Sequence, residues 1–454
     1  MGAVPDVQVV FDPDTYVWGV PYETFARLRA RGPVTWVDEV AIGPWPAGPG
    51  YWAVWRHADV RDVLRQATVF SSHLGATQIR DPATPEDLAY VRQSMISMDP
   101  PDHSRLRGLL ARAFTPRAVA ALEAGIEARA RSLIDAVAEA GECDFAKVAA
   151  DLPLLTLADV LGMPEQDRDL LFDWASRVIG YQDDEYAAIE VTDRAATTGM
   201  ARAALAVRPR PGPDGRMPDP RSRHGIPDLY AYAHELADHK RRHPSDDIMS
   251  LLLRQVDGTG GRVSVEEFEN LFWLFAVAGN ETVRNGVPGG MIAFLEHPDQ
   301  WARLAADRTL LDSAVEEVLR WWSPVIHFRR TAARDCEIAG RPVRAGQKVV
   351  VYFASANRDE RVFPRPDDFD AGRQPNDHLS FGYGPHFCLG AHVARRQMRA
   401  IFAAVLDRLD GVEQAGPAVR LRSNFQNGVK HLPIRWRRRR GRAAPGGAAR
   451  PEVR

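Results

Sequence analysis

The stretch Phe381-Gly382-Tyr383-Gly384-Pro385-His386-Phe387-Cys388-Leu389-Gly390 sets one cysteine among small residues, just before a helical pattern that opens near Ala391. A thiol acts as a metal ligand only as the thiolate, and that anion needs stabilising. Backbone N–H groups and the positive end of a helix supply part of this, and a metal ion completes it. Gly382, Gly384 and Gly390 let the backbone approach a flat ligand with no Cβ in the way. Cys143 and Cys336 have no such surroundings and read as structural thiols.

The rest of the chain is ordinary in bulk. Its 454 residues are 45% hydrophobic and 26% charged, the balance of a globular protein with a large core. A formal charge of −2 gives no charge-driven pull toward nucleic acid or an anionic membrane. Lysine occurs only at Lys147, Lys240, Lys348 and Lys430, so arginine carries nearly all the positive charge, a mark of genome composition. Three scattered cysteines exclude a disulfide framework or a zinc cluster and favour a reducing compartment. From Met1 to Tyr16 there are acidic residues and prolines, where a secretion signal needs a basic and then an apolar run. No stretch reaches the roughly 18 apolar residues of a membrane span. The expectation is a cytoplasmic protein without a membrane anchor.

Apolar residues recur at helical spacing over 22–31, 60–66, 105–114, 119–140, 154–161, 167–178, 229–242, 248–255 and 265–278. The same spacing returns over 291–295, 298–305, 310–321 and 391–409. Strands are expected at 34–37 and 51–55, flanking a Gly/Pro loop at 43–50, and again near 337–338, 348–352 and 432–436. The fold class is therefore mainly α with small β sheets (α+β), in one domain over 1–436. Residues 207–226, rich in Pro, Gly and Arg, read as a flexible insertion in a lid region, and 437–454 as a disordered basic tail.

The cysteine stretch, preceded by His378-Leu379-Ser380, resembles the haem-binding loop of bacterial cytochromes P-450. The resemblance extends from about Phe11 to Trp436. It implies the cytochrome P-450 fold, haem b as cofactor with Cys388 as iron ligand, and O2 as co-substrate. A thiolate ligand pushes electron density onto the iron and favours O–O cleavage. Phe381 matches the residue beside the thiolate, and Gly382 and Gly390 belong to the same cofactor-binding loop. His386, with His103 and Arg107 of Asp99-Pro-Pro-Asp-His103-Ser-Arg-Leu-Arg107, and Arg330 match the groups that hold the haem propionates. An arginine fork suits a carboxylate because it can bind both oxygens.

Two further motifs carry the match. Glu317-Val-Leu-Arg320 puts an acid and a base on one helix face, and Arg373 matches the arginine that completes a Glu-Arg-Arg network holding the proximal loop. A buried triad of this kind is architectural rather than catalytic. Ala278-Gly279-Asn280-Glu281-Thr282 matches the distal helix, in which Gly279 opens a gap for oxygen and Thr282 and Glu281 manage protons. The Gly286-Val-Pro-Gly-Gly290 that follows predicts a kink or interruption of that helix. Phe275, Ala278, Val283, Val325, Ile326 and Phe425 are the implied substrate pocket.

Within the family, the motifs lie nearest to bacterial hydroxylases of sterol side chains, branched lipids or terpenoids. The reading is a monooxygenase that inserts one oxygen atom into a C–H bond of a hydrophobic small molecule. Its electrons come from NAD(P)H through a ferredoxin reductase and a ferredoxin. Arg105, Arg112, Arg395, Arg396 and Arg399 flank the haem-anchoring segments as a basic face for that partner. The protein is expected to be a monomer. The alternatives are a peroxide-driven or non-oxygenating haem-thiolate enzyme, and a catalytically silent haem-bound accessory protein.

Overall fold

Helix Val265–Glu296 is the axis about which the rest of the protein packs. The computed structural model describes residues 4–438, except 112–113, 115, 188–197, 214, 216, 223 and 257–262. The axial helix opens on a capping box: Glu267 N–H donates to Ser264 Oγ, and Ser264 N–H donates to Glu267 Oε2. Such a box satisfies two of the donors left open at a helix start. The first half of the helix, including Phe268, Leu271 and Phe272, lies in one apolar core with helices Phe145–Leu161, Arg168–Ile179 and Pro227–Arg242. Its second half, from Val283 to Phe294, lies in another with helices Pro116–Val137, Leu311–Trp322 and Ala391–Arg408.

The sequence predicts a break at Gly286–Gly290, with a separate short helix after it. The structure instead runs one helix through Pro288. Proline removes a hydrogen bond and crowds the preceding turn, at a cost of about 3 kcal/mol. Burial on all sides offsets this, since every residue from Val283 to Phe294 is buried. The glycines serve close packing. A Cβ on Gly289 would lie 2.1 Å from the Trp322 ring, and one on Gly290 would lie 2.6 Å from Val318.

A mixed sheet lies to one side. Its strand order is Val34–Val37, Tyr51–Val54, Lys348–Tyr352, His327–Ala332, Phe70–Ser71. Tyr51–Val54 pairs in parallel with Lys348–Tyr352, and the remaining pairs are antiparallel. Lys348–Tyr352 is buried on both faces, as an inner strand between sheet neighbours and helices should be.

Two other expectations need correction. Helix Phe145–Leu161 extends well upstream of 154–161, running through Pro153 rather than starting after it. The last strand, Pro433–Arg438, continues past 436, with Arg437 paired to Asp410 and Arg438 to Leu409, so the expected tail does not begin at 437. Residues 439–454 lie outside the described residues. The described part of 207–226 forms neither helix nor strand. It is nevertheless tied down at both ends: Arg208 donates to Asp173 (2.6 Å), Arg177 to the Gly225 carbonyl (3.4 Å), and Arg221 to the Arg80 carbonyl (3.2 Å).

Candidate active site

The cysteine loop is held from behind before it offers anything to a ligand. Glu317 is fully buried, and its carboxylate accepts from Arg320 Nε (2.7 Å), Arg320 Nη2 (2.8 Å) and Arg373 Nε (3.1 Å). Arg320 also donates to the carbonyls of Asn357, Pro366 and Asp368. Asn357 passes this order to the loop. Its Oδ1 accepts from Leu379 N–H (2.7 Å), and its Nδ2 donates to Ser380 Oγ (2.8 Å). Sequence reasoning finds Glu317, Arg320 and Arg373 but misses Asn357, because an isolated asparagine has no spacing to betray it.

From Ser380 the chain turns under a cavity of about 250 Å³. Gly384 has φ +70, and a Cβ there would lie 2.7 Å from the Leu64 carbonyl, so the turn needs glycine for conformation and contact alike. Cys388 N–H donates to the Phe381 carbonyl (2.9 Å). The Gly390 N–H points at the thiol, one residue before helix Ala391–Arg408 begins. Burial raises the thiol pKa, while that N–H, Arg107 and Arg395 oppose the rise. Its sulfur opens onto the cavity, so the residue is exposed there while lying deep in the protein.

Four bases face the same cavity. His103 and Arg107 come from helix Asp102–Ala111, Arg330 from strand His327–Ala332, and His386 from the cysteine loop. The two imidazole rings are 4.0 Å apart. His103 Nδ1 is buried without a hydrogen-bond partner. Burial, with Arg107 and Arg330 nearby, lowers the His103 pKa to about 4. Burial, then Arg330, His103 and Arg107, lowers that of His386 to about 2. Burial lowers even Arg330 to about 10, with Asp99 the carboxylate that opposes it. Bases packed this closely destabilise each other's charge, and an anion between them reverses that.

The opposite wall is helix Val265–Glu296. Gly279 and Thr282 face the cavity, with Phe275, Ala278, Val283 and Val325 among its apolar walls. Thr282 Oγ1 donates to the Ala278 carbonyl (3.3 Å). Phe114 stacks on Phe275 at 6.0 Å, an aromatic wall that the sequence reading did not name.

Three predicted residues lie elsewhere. Glu281 is fully buried and turned away from the cavity. It pairs with Arg284 (2.8 Å) and accepts from Asn285 Nδ2 (3.2 Å), while the guanidinium of Arg284 lies over the Phe172 and Tyr186 rings. Ile326 packs beneath the sheet with Val350 and Tyr352, because neighbours in extended chain point to opposite sides. Phe425 stands one layer back, its ring 5.7 Å from that of Phe328, which does line the cavity. The arginines expected to form an open basic face are paired with acids: Arg105 with Glu267, Arg395 with Glu316, Arg396 with Glu123, and Arg399 with Asp312. Arg112 lies outside the described residues. Described residues of the 207–226 segment line a separate cleft, of about 1160 Å³, that shares no lining residue with the thiol cavity.

One cavity thus holds a thiol at a helix start, a cluster of bases and an apolar wall. The family model described as Cytochrome P450 matches residues 231–424. The chain is similar to the steroid C26-monooxygenase of Rhodococcus jostii, at 37% identity over 94% of this chain and 84% of that protein. It is also similar to the methyl-branched lipid omega-hydroxylase of Mycobacterium bovis, at 36% identity over 91% of this chain and 90% of that one. The solved structure of a Mycobacterium marinum cytochrome P450 in complex with pseudoionone superposes with a TM-score of 0.77. It is 37% identical and covers 91% of this chain and 94% of that one. The chain belongs to the cytochrome P450 family. It has the fold of that family and is a monooxygenase with a haem-thiolate cofactor that uses O2. No helix among the described residues is long and apolar enough to cross a membrane.

Proposed function

We propose that the protein hydroxylates a largely apolar molecule of the steroid, branched-lipid or terpenoid kind. Electrons come from NAD(P)H through ferredoxin reductase and a ferredoxin. The observation that carries this is the division of one cavity into a thiol, a group of bases with no ion pair to a carboxylate among the described residues, and an apolar wall. The bases fit the two carboxylates of haem b: among the described residues, His103 Nδ1 is a buried atom with no hydrogen-bond partner, and Arg330 is buried with no carboxylate bonded to it. In this reading Cys388 ligates the iron, and His103, Arg107, Arg330 and His386 hold the propionates. When bound, haem supplies the iron at which O2 is activated and one oxygen atom is passed to a C–H bond, the other leaving as water.

The chain's own residues then have defined tasks. The Gly390 N–H and the start of helix Ala391–Arg408 favour the thiolate against the burial that opposes it, and a bound iron would complete its stabilisation. Phe114, Phe275, Leu157 and Phe328 exclude water and orient the substrate by shape. The Thr282 hydroxyl holds a proton at the distal wall once it releases the Ala278 carbonyl. Glu281, on rotating away from Arg284, would take up a proton from solvent admitted with that motion and pass it to the Thr282 hydroxyl. The enzyme works as a cytoplasmic monomer.

The reduced protein under carbon monoxide should show the red-shifted band of thiolate ligation, and Cys388→Ser should lose it. A variant that keeps the band refutes the ligand assignment. Titration with sterols, branched fatty acids, terpenes and macrolides should perturb the haem spectrum with the first three classes. Hydroxylated product should then require ferredoxin, its reductase and NAD(P)H. Product with peroxide alone, and none with the electron-transfer partners, would refute the oxygenase cycle.

A further inference from the structure

Asp99 is the point at which the supports of all four bases meet. Its carbonyl accepts from His103 N–H (3.0 Å), in the turn that starts the helix bearing His103 and Arg107. Its carboxylate accepts from Ser71 Oγ–H (2.5 Å) through Oδ2 and from Ser72 N–H (2.8 Å) through Oδ1. Ser71 Oγ in turn accepts from the N–H groups of His73 and Leu74, both at 3.0 Å, closing a tight turn. That turn follows strand Phe70–Ser71, in which Ser71 pairs with Thr331, the neighbour of Arg330. Ser72 Oγ lies 3.3 Å from His386 Nε2, and the Met98 carbonyl is a second hydrogen-bonding group against that ring. Ser71 and Ser72 are both buried, at 3% and 4% exposure, so solvent does not compete for these bonds. The charge of Asp99 also acts directly on Arg330 and His103.

We propose that Asp99 and Ser72 are positioning residues for the haem carboxylates. Asp99 fixes the Ser71–Ser72 turn against the His103 helix and the Arg330 strand, and the Ser72 hydroxyl fixes the His386 ring. This layer lies behind the bases and touches no substrate. A turn and an aspartate 27 residues apart in sequence become one fixture only after folding, which explains why the bases are legible as a motif and their support is not. The proposal rests on the reading of the cavity as a haem site.

The test uses the holoenzyme and measures haem loss to excess apomyoglobin together with the ferric/ferrous midpoint potential. Ser72→Ala should speed haem loss about fivefold, the equivalent of one neutral hydrogen bond, and Ser72→Thr should restore the wild-type rate. Asp99→Asn should speed loss roughly tenfold or more, since a charged acceptor counts for about twice a neutral one. It should also move the midpoint potential to more positive values, because a negative charge has left the neighbourhood of the cofactor. Wild-type haem loss in Ser72→Ala, or an unchanged potential in Asp99→Asn, overturns the proposal. Should Asp99→Asn not fold, the Ser72→Ala and Ser72→Thr pair decides alone. A wild-type protein that carries no thiolate-ligated haem overturns the functional reading instead, before any variant is compared.

Discussion

Replacing Glu317 with glutamine changes one oxygen to an amide nitrogen in a site with no room to adjust. Glu317 and Arg320 are fully buried, and Arg373 is 8% exposed. The carboxylate accepts from Arg320 twice, Arg373 Nε, Asp370 N–H (2.9 Å) and Asn376 Nδ2 (3.2 Å). Glutamine keeps one acceptor and turns a donor toward other donors. Two guanidinium groups then share a buried site without the charge that neutralised them. Removing one partner from a buried ion pair costs about 3–5 kcal/mol, a large fraction of the 5–15 kcal/mol that keeps a typical domain folded. Glu317→Gln should therefore lower the urea unfolding midpoint sharply in both haem-free and haem-bound protein. The carbon monoxide band should also be lost, because Asn357 carries order from this network to the Cys388 loop. Asp62→Asn is the contrast: it removes the Arg65 pair, whose partners are 67% and 61% exposed, and should cost about 0.5 kcal/mol or less. A Glu317→Gln effect below about 1 kcal/mol would refute the claim that this triad holds the loop.

Three shorter predictions follow from other parts of the structure. Gly289→Ala should destabilise by about 1–3 kcal/mol through overlap with Trp322, whereas Gly108→Ala, with open space around its Cβ in an exposed helical turn, should stabilise by up to about 1 kcal/mol; thermal melts of the two variants check the sign. Glu316 is partly buried, which raises its pKa, but the hydrogen bonds from Arg395 and His378 prevail and hold it down to about 2, against an ordinary 4.5. A depressed carboxyl pKa contributes stability that is present above the ordinary value and lost as pH falls through the folded one. Glu316→Gln should thus flatten the acid limb of the stability curve between pH 4.5 and about 2, by roughly 3 kcal/mol at most; an acid limb like that of wild type counts against it. Thr282→Ala should leave haem binding and the carbon monoxide band intact while diverting electrons to peroxide, and unchanged coupling of NAD(P)H consumed to product formed would exclude a proton role for that hydroxyl.

What the sequence discloses is what lies close together along the chain. The Cys388 stretch, the His103–Arg107 spacing and the Glu317–Arg320 pair each fit within a helical turn or a short loop, and each comes together in the structure as the spacing implies. Even the departure of Glu281 from the cavity follows from a local rule. Successive helical residues point about 100° apart, so a helix that aims Thr282 at the cavity must aim Glu281 elsewhere, here at Arg284 and Asn285. The same holds for Val325 and Ile326 on extended chain. The misses have the opposite character. Pro288 lies within a continuous helix because Trp322, Val318 and Phe402 close on Gly289 and Gly290 from other helices, and no local propensity contains that information. Asn357 and Asp99 join segments tens of residues apart, and Glu316, Glu123 and Asp312 neutralise arginines that look unpaired when read in order. The arginines on the face behind Cys388 therefore present alternating charges. Any protein that docks there must match that pattern of paired charges. Recognition there should depend on which carboxylate each arginine gives up, so reversal of a single charge such as Arg396 acts by freeing Glu123 as much as by removing a cation.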